Sequence, residues 1–169
     1  MSVAPIIQLG HAALRLPAIP VVRFDRRLHR LIDDMIDTMR AAPGVGLAAN
    51  QIGRSERVCV IEVNGRLWEL VNPRLERLDG EQDGSEGCLS LAGYWAELGR
   101  AGRARASGLD RRGRKVTVSG EGLLARAIQH ELDHLDGKLY LDRLPSPDLL
   151  VYDPRSRAER MADADADSD

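Results

Sequence analysis

The sequence predicts an α+β chain. Three observations carry that expectation: an apolar stripe at helical spacing from Leu28 to Met39, a hairpin pattern over residues 58–71, and a second helical period around His130 to His134. A hairpin turned by Asn-Gly is antiparallel, and its strands must share a core with the two helices.

With 169 residues the chain fits a single domain, 1–169, long enough to bury a core without disulfides. A net charge of -2 comes from well-mixed acids and bases, which argues against nucleic acid or a membrane as the main partner and favours small substrates or short peptides. The first ten residues lack a basic, then apolar leader, and no apolar run reaches membrane-span length, so a cytoplasmic location is expected. The 2 cysteines, Cys59 and Cys88, are too few for a disulfide framework and in a reducing compartment stay available as thiols.

Pro5 to Pro20 alternates short apolar runs with turn formers and reads as an extended arm wrapping the domain. Asp25 is placed to cap the first helix, whose Leu28, Leu31, Ile32, Met35, Ile36 and Met39 form one stripe. His29 lies off that stripe and is expected in solvent. The helix stops at Pro43. Gly44-Val45-Gly46-Leu47-Ala48-Ala49-Asn50-Gln51 then leaves the backbone bare enough for close approach, although by itself the stretch is better accounted for as a plain glycine-rich turn between a helix and a sheet.

Val58 to Val63, Asn64-Gly65, and Leu67 to Val71 make the hairpin, with Cys59 inside a strand as a small core residue. A polar loop through Asp79-Gly80 and Asp83-Gly84 follows, then strands around 104–109 and 115–118 joined at Asp110 to Gly113. Glu121-Gly122 starts the second helix and Gly137 stops it. Beyond Leu144, prolines and an Ala/Asp alternation predict a polar, disordered tail over 145–169.

The second helix carries H-E-x-x-H. Two imidazoles four residues apart stack on one helix face and can grip one metal, with Glu131 to the side, in reach of a proton but not a ligand. A catalytic site of this kind needs a third protein ligand. The long metalloprotease pattern would put a histidine where Tyr140 stands, and Glu159 lies in the proline-broken tail. Cys88, flanked by Gly87, is a strong thiolate donor and is not explained by a strand core.

Gly44 to Gln51, Glu86-Gly87-Cys88-Leu89-Ser90 and Gln129 to His134 together resemble the three motifs of peptide deformylases, in order and at similar separations, and the likeness covers the chain to about Leu144. The resemblance implies antiparallel sheets packed around a central helix carrying H-E-x-x-H. It implies that Cys88, His130 and His134 hold one divalent metal, ferrous iron in the cell with zinc, nickel or cobalt as alternatives. Glu131 would be the general acid/base, and Gln51 with the Leu89 NH the oxyanion hole. The methionine side chain would sit near Val45, Leu123 and Ala127, and the peptide backbone would pair with the stretches at Val45-Gly46 and at Gly87. Glu86 is expected to orient one imidazole, and Arg100 to pair with Asp133.

The implied reaction removes the formyl group from N-formylmethionyl nascent peptides and releases formate; contact with the ribosome is left open. His11, Ala12, Asn50, Gly84, Ala92 and Arg126 depart from the usual pattern, with Gly84 and Arg126 near the pocket wall. A metallopeptidase and a non-catalytic, metal-stabilised peptide-end binder are the alternatives.

Overall fold

The computed structural model describes residues 2–155. The first helix, α1, runs Arg26–Ala41, and its first turn lacks the NH partners of an interior turn. Asp25 supplies one, its side chain accepting from the NH groups of Arg27 and Leu28. Every member of the expected stripe is buried.

β1 (Gly46–Ala48), β2 (Val58–Val63), β3 (Arg66–Asp79), β6 (Arg103–Leu109) and β7 (Lys115–Glu121) form a five-stranded antiparallel sheet in the order β1-β2-β3-β6-β7. β4 (Ser85–Cys88), β5 (Leu91–Glu97) and β8 (Val151–Tyr152) form a second, three-stranded sheet. Period two along β2 decides which helix goes where. Cys59, Ile61 and Val63 pack with Ile128, Leu132 and Leu135 of the second helix, α2 (Gly122–Leu135). Val58 and Val60 turn the other way, onto Leu31, Met35 and Met39 of α1. The large sheet is thus held between two helices, and the motif helix lies on its inner face.

The hairpin turn is as expected, with Asn64 and Gly65 both at positive φ (53° and 72°). β3, however, continues eight residues beyond Val71, through what reads in sequence as the start of a polar loop. Pro73 and a break in register between Val71 and Arg74 hide it. Asn72, left out of the ladder at φ 52°, offers its amide to the arm instead: Val21 N donates to Oδ1 and Nδ2 donates to the Val21 carbonyl, both at 2.8 Å.

His29 is half-buried rather than solvated, its Nε2 2.9 Å from the Arg111 carbonyl, because the β6–β7 turn folds over α1. The tail expected from residue 145 also needs correction. Pro147–Leu149 forms a 3-10 turn, and Val151 and Tyr152 pair with Trp95 and Tyr94 of β5. A two-residue strand has no sequence period to detect; its partner creates it. Residues 156–169 lie outside the described part, Glu159 among them.

Candidate metal and active site

Four residues separate His130 from His134, so α2 stacks their rings on one face, with the two Nε2 atoms 3.2 Å apart. Cys88 ends β4, and its Sγ lies 3.1 Å from His134 Nε2. One donor atom from each of Cys88, His130 and His134 lies within 4.8 Å of the others. Tetrahedral coordination with metal–nitrogen bonds near 2.05 Å would set its two nitrogens about 3.3 Å apart. Three atoms that can each offer a lone pair converge here, so the donor set fits one small divalent cation.

The electrostatics agree with such a shared site. Burial pushes the His134 imidazole well down, and His130 beside it adds to that. Burial opposes charge on His130 too, but contacts with Cys88 and Glu86 more than reverse it. Tyr140 stands where the protease pattern has its last histidine; it is buried and stacks on the His130 ring with centroids 6.2 Å apart.

Glu131 is 3% exposed, one residue on from His130, and its Oε2 has no hydrogen-bond partner among the described residues. Burial pushes its carboxyl up to about 7. Gly46 makes room for it. A Cβ there would lie 2.9 Å from Glu131 Cγ and fall on the carboxylate itself. The glycine that reads as one of several in a bare loop is therefore required at this position by the acid facing it.

Gln51 is fixed at both ends of its amide. Oε1 accepts from Ala48 N at 2.9 Å, which turns Nε2 toward Ser90 Oγ (3.3 Å) and Cys88 Sγ (3.5 Å). Its neighbour Asn50 donates through Nδ2 to the His134 carbonyl at 2.5 Å, tying the Gln51 turn to the end of α2. The N-terminal arm secures the same parts from outside: Ile7 N donates to Gln51 O, and Leu9 N to Ser90 O, both at 2.8 Å. Gln8 spans the turn after Cys88, donating to Leu89 O and accepting from Ala92 N. Neither the Gln8 clip nor the Ser90 contact was anticipated, and a lone glutamine in an arm offers no signal for either.

Behind His130 is a buried ionic group. Glu86 Oε1 is 2.6 Å from His130 Nδ1, and Arg100 grips both Glu86 oxygens at 2.6 and 3.0 Å. Arg100 Nη1 also donates to Asp133 at 2.6 Å, and Arg143, unforeseen, takes both Asp133 oxygens. Burial alone would raise the Glu86 carboxyl, but His130 and Arg100 hold it well below the usual range. A proton on His130 Nδ1, donated to Glu86, would leave Nε2 as the lone pair for a metal.

The expected substrate wall is less unified. Val45 packs against the core cluster containing the buried Ala127, whereas Leu123 is exposed and lines a groove of about 390 Å³ with Trp68 and Leu124. Arg126 is not an open wall: it is buried, and its guanidinium turns to Glu86 and the Leu98 carbonyl. Gly87 is exposed on β4, and Gly46 lies on β1.

The sequence model of the polypeptide deformylase family matches residues 3–149. The chain belongs to that family. A peptide deformylase of Heliobacterium modesticaldum is 52% identical over 144 residues, covering 85% of this chain and 95% of the relative. One from Acidothermus cellulolyticus is 54% identical over 144 residues, covering 85% and 80%. The crystal structure of a Legionella pneumophila peptide deformylase superposes with a TM-score of 0.84 at 42% identity, over 98% of this chain and 96% of that one. The α+β fold of the deformylases is therefore the fold of this chain, and among its described residues no helix is long and apolar enough to cross a membrane.

Proposed function

We propose that this site removes the N-formyl group from the formylmethionyl end of newly made polypeptides in the cytoplasm, releasing formate and a free amine. The observation that supports it best is the convergence of Cys88, His130 and His134 beside a buried Glu131, with the Gln51 amide NH₂ turned toward the same point. Cys88, His130 and His134 would hold a divalent metal, which when bound polarises the formyl oxygen and lowers the pKa of water.

The remaining steps belong to the chain. Glu131, with a carboxyl near 7, is matched to take a proton from the attacking water and pass it to the leaving amine at neutral pH. Gln51 Nε2 and the Leu89 NH donate to the oxygen as it gains negative charge. Glu86 keeps His130 in the tautomer that leaves Nε2 free, and Arg100 with Asp133 holds Glu86 in place. The edges at Val45-Gly46 and Gly87 take the peptide as an added strand, with Leu123 and Ala127 beside the methionine side chain.

A structural metal is normally closed by four protein ligands; three converge here among the described residues. A metallopeptidase of the long H-E-x-x-H-x-x-G-x-x-H form would need its extra ligand where the buried Tyr140 stands. Formate release from a formyl-Met peptide, measured beside amine release from an internal peptide bond, tests the reading: Glu131→Ala should keep the fold and lose formate release, and internal cleavage by the parent chain would refute it.

We assign ferrous iron in the cell, with zinc, nickel or cobalt able to replace it, since one thiolate and two imidazoles suit all four. Iron-loaded protein should lose activity in air as dioxygen oxidises Cys88, while nickel-loaded protein persists. Equal decay of the two forms, followed by formate release and mass spectrometry, would count against iron.

A further inference from the structure

Arg126 is a buried cation that the reaction does not use. It sits four residues before His130, so both side chains leave the same face of α2, one turn apart. Both end on one carboxylate: His130 Nδ1 on Glu86 Oε1 at 2.6 Å, and Arg126 Nη1 on Glu86 Oε2 at 2.9 Å. Glu86 lies on β4, two residues before Cys88. The carboxylate therefore joins the helix carrying two of the converging donors to the strand carrying the third.

The guanidinium is held at a cost. Nη1 is shared between Glu86 and the Leu98 carbonyl at 2.8 Å, but Nη2 is buried with no partner among the described residues, and an unmatched donor of that kind is expensive in a protein interior. Its space is reserved by Gly84, two residues before Glu86 and just ahead of β4: a Cβ there would come within 3.3 Å of Nη2. An apolar side chain would fill the volume without the penalty. What it could not do is grip the second oxygen of Glu86.

We propose that Arg126 is a positioning residue for the Cys88, His130 and His134 set, acting through Glu86 to hold β4 at one distance from α2, with Gly84 as its matched partner. Arg100 also grips Glu86, but it comes from outside both elements. Arg100 bridges α2 to β4 as well, from Asp133 to Glu86, whereas Arg126 is the cation rooted in the helix itself. The proposal rests on the metal reading above.

The test uses full-length protein loaded with Co²⁺, whose absorption reports the sulfur–metal bond and the ligand arrangement. Arg126→Met, Arg126→Lys, Gly84→Ala and the double variant G84A/R126M are compared for spectrum, rate of Co²⁺ loss to a chelator, and separate kcat and KM. Loss of an outer-shell partner costs roughly 10- to 100-fold in metal affinity, so Arg126→Met should lose Co²⁺ about tenfold faster, with a shifted sulfur–cobalt band and a fall in kcat at near-constant KM. Arg126→Lys should recover part of each. Gly84→Ala should shift the band alone but add nothing in the R126M background, because the two act as a pair. If folded Arg126→Met matches the parent in spectrum and off-rate, or if Gly84→Ala acts equally in both backgrounds, the proposal is overturned. Failure of the parent chain to bind Co²⁺ would instead remove the metal reading, and this proposal with it.

Discussion

Gly46→Ala separates stability from catalysis at this site. The added methyl would stand 2.9 Å from Glu131 Cγ and nearer still to its carboxylate, where carbon contacts normally rest at about 3.5–4.0 Å. The carboxylate carbon of Glu131, 2.7 Å from that methyl, must therefore retreat by roughly 0.8–1.3 Å. The backbone at residue 46 is not in the left-handed region, so alanine itself is tolerated there. Displacing a buried side chain costs about 1–3 kcal/mol of stability, which leaves the domain folded.

The reaction is less forgiving. A misplacement of about 1 Å in a reacting group costs on the order of 10²-fold, or about 3 kcal/mol of barrier. Formate release from a formyl-Met peptide should fall by that factor, while bound metal stays at the parent's level and thermal unfolding shifts by a few degrees. Activity within a few-fold of the parent at equal metal content would show that Glu131 has freedom this packing denies it, and would refute the reasoning.

Three further outcomes follow from the same contacts. In metal-stripped protein, Glu131 titrates near 7 in place of 4.5, so the folded state binds the extra proton between those values. The stability this contributes is complete below 4.5 and declines as pH rises to 7, by about 3 kcal/mol; Glu131→Gln should flatten that part of the denaturation-versus-pH curve, and an unchanged curve would deny the shift. Cys88→Ser should reduce metal binding by orders of magnitude, a hydroxyl being a far poorer donor than a thiolate, whereas Cys59→Ser, fully buried in the core, should cost stability and leave metal content intact. Ending the chain at residue 144 should lower the unfolding temperature, since it removes β8 and the Tyr152 ring that packs 4.8 Å from Tyr94; an unaltered melt would mean that this edge contributes nothing.

What was legible in the sequence was local or periodic. The stripe from Leu28 to Met39, the Asn64-Gly65 turn and the i, i+4 histidines each encode their geometry within a few residues, and each has its expected form. Fold membership needed only the three motifs. What escaped joins residues far apart through one side chain: Gln8 to Leu89, Asn50 to His134, Arg126 to Glu86, Arg143 to Asp133. Spacing cannot announce such contacts, because the intervening chain fixes them only after it has folded. The Arg100–Asp133 pair was accessible only by analogy for the same reason.

Glycine shows the boundary most clearly. Gly46 and Gly84 look alike in sequence, two small residues in polar or bare stretches, yet one makes room for a carboxylate and the other for a guanidinium. The side chain facing a glycine decides why it must be glycine, and that side chain comes in both cases from α2, some 40 or more residues later. The site is therefore assembled by complementarity between the motif helix and the two strands that face it, and the residues with the least chemistry of their own set where the chemistry can stand.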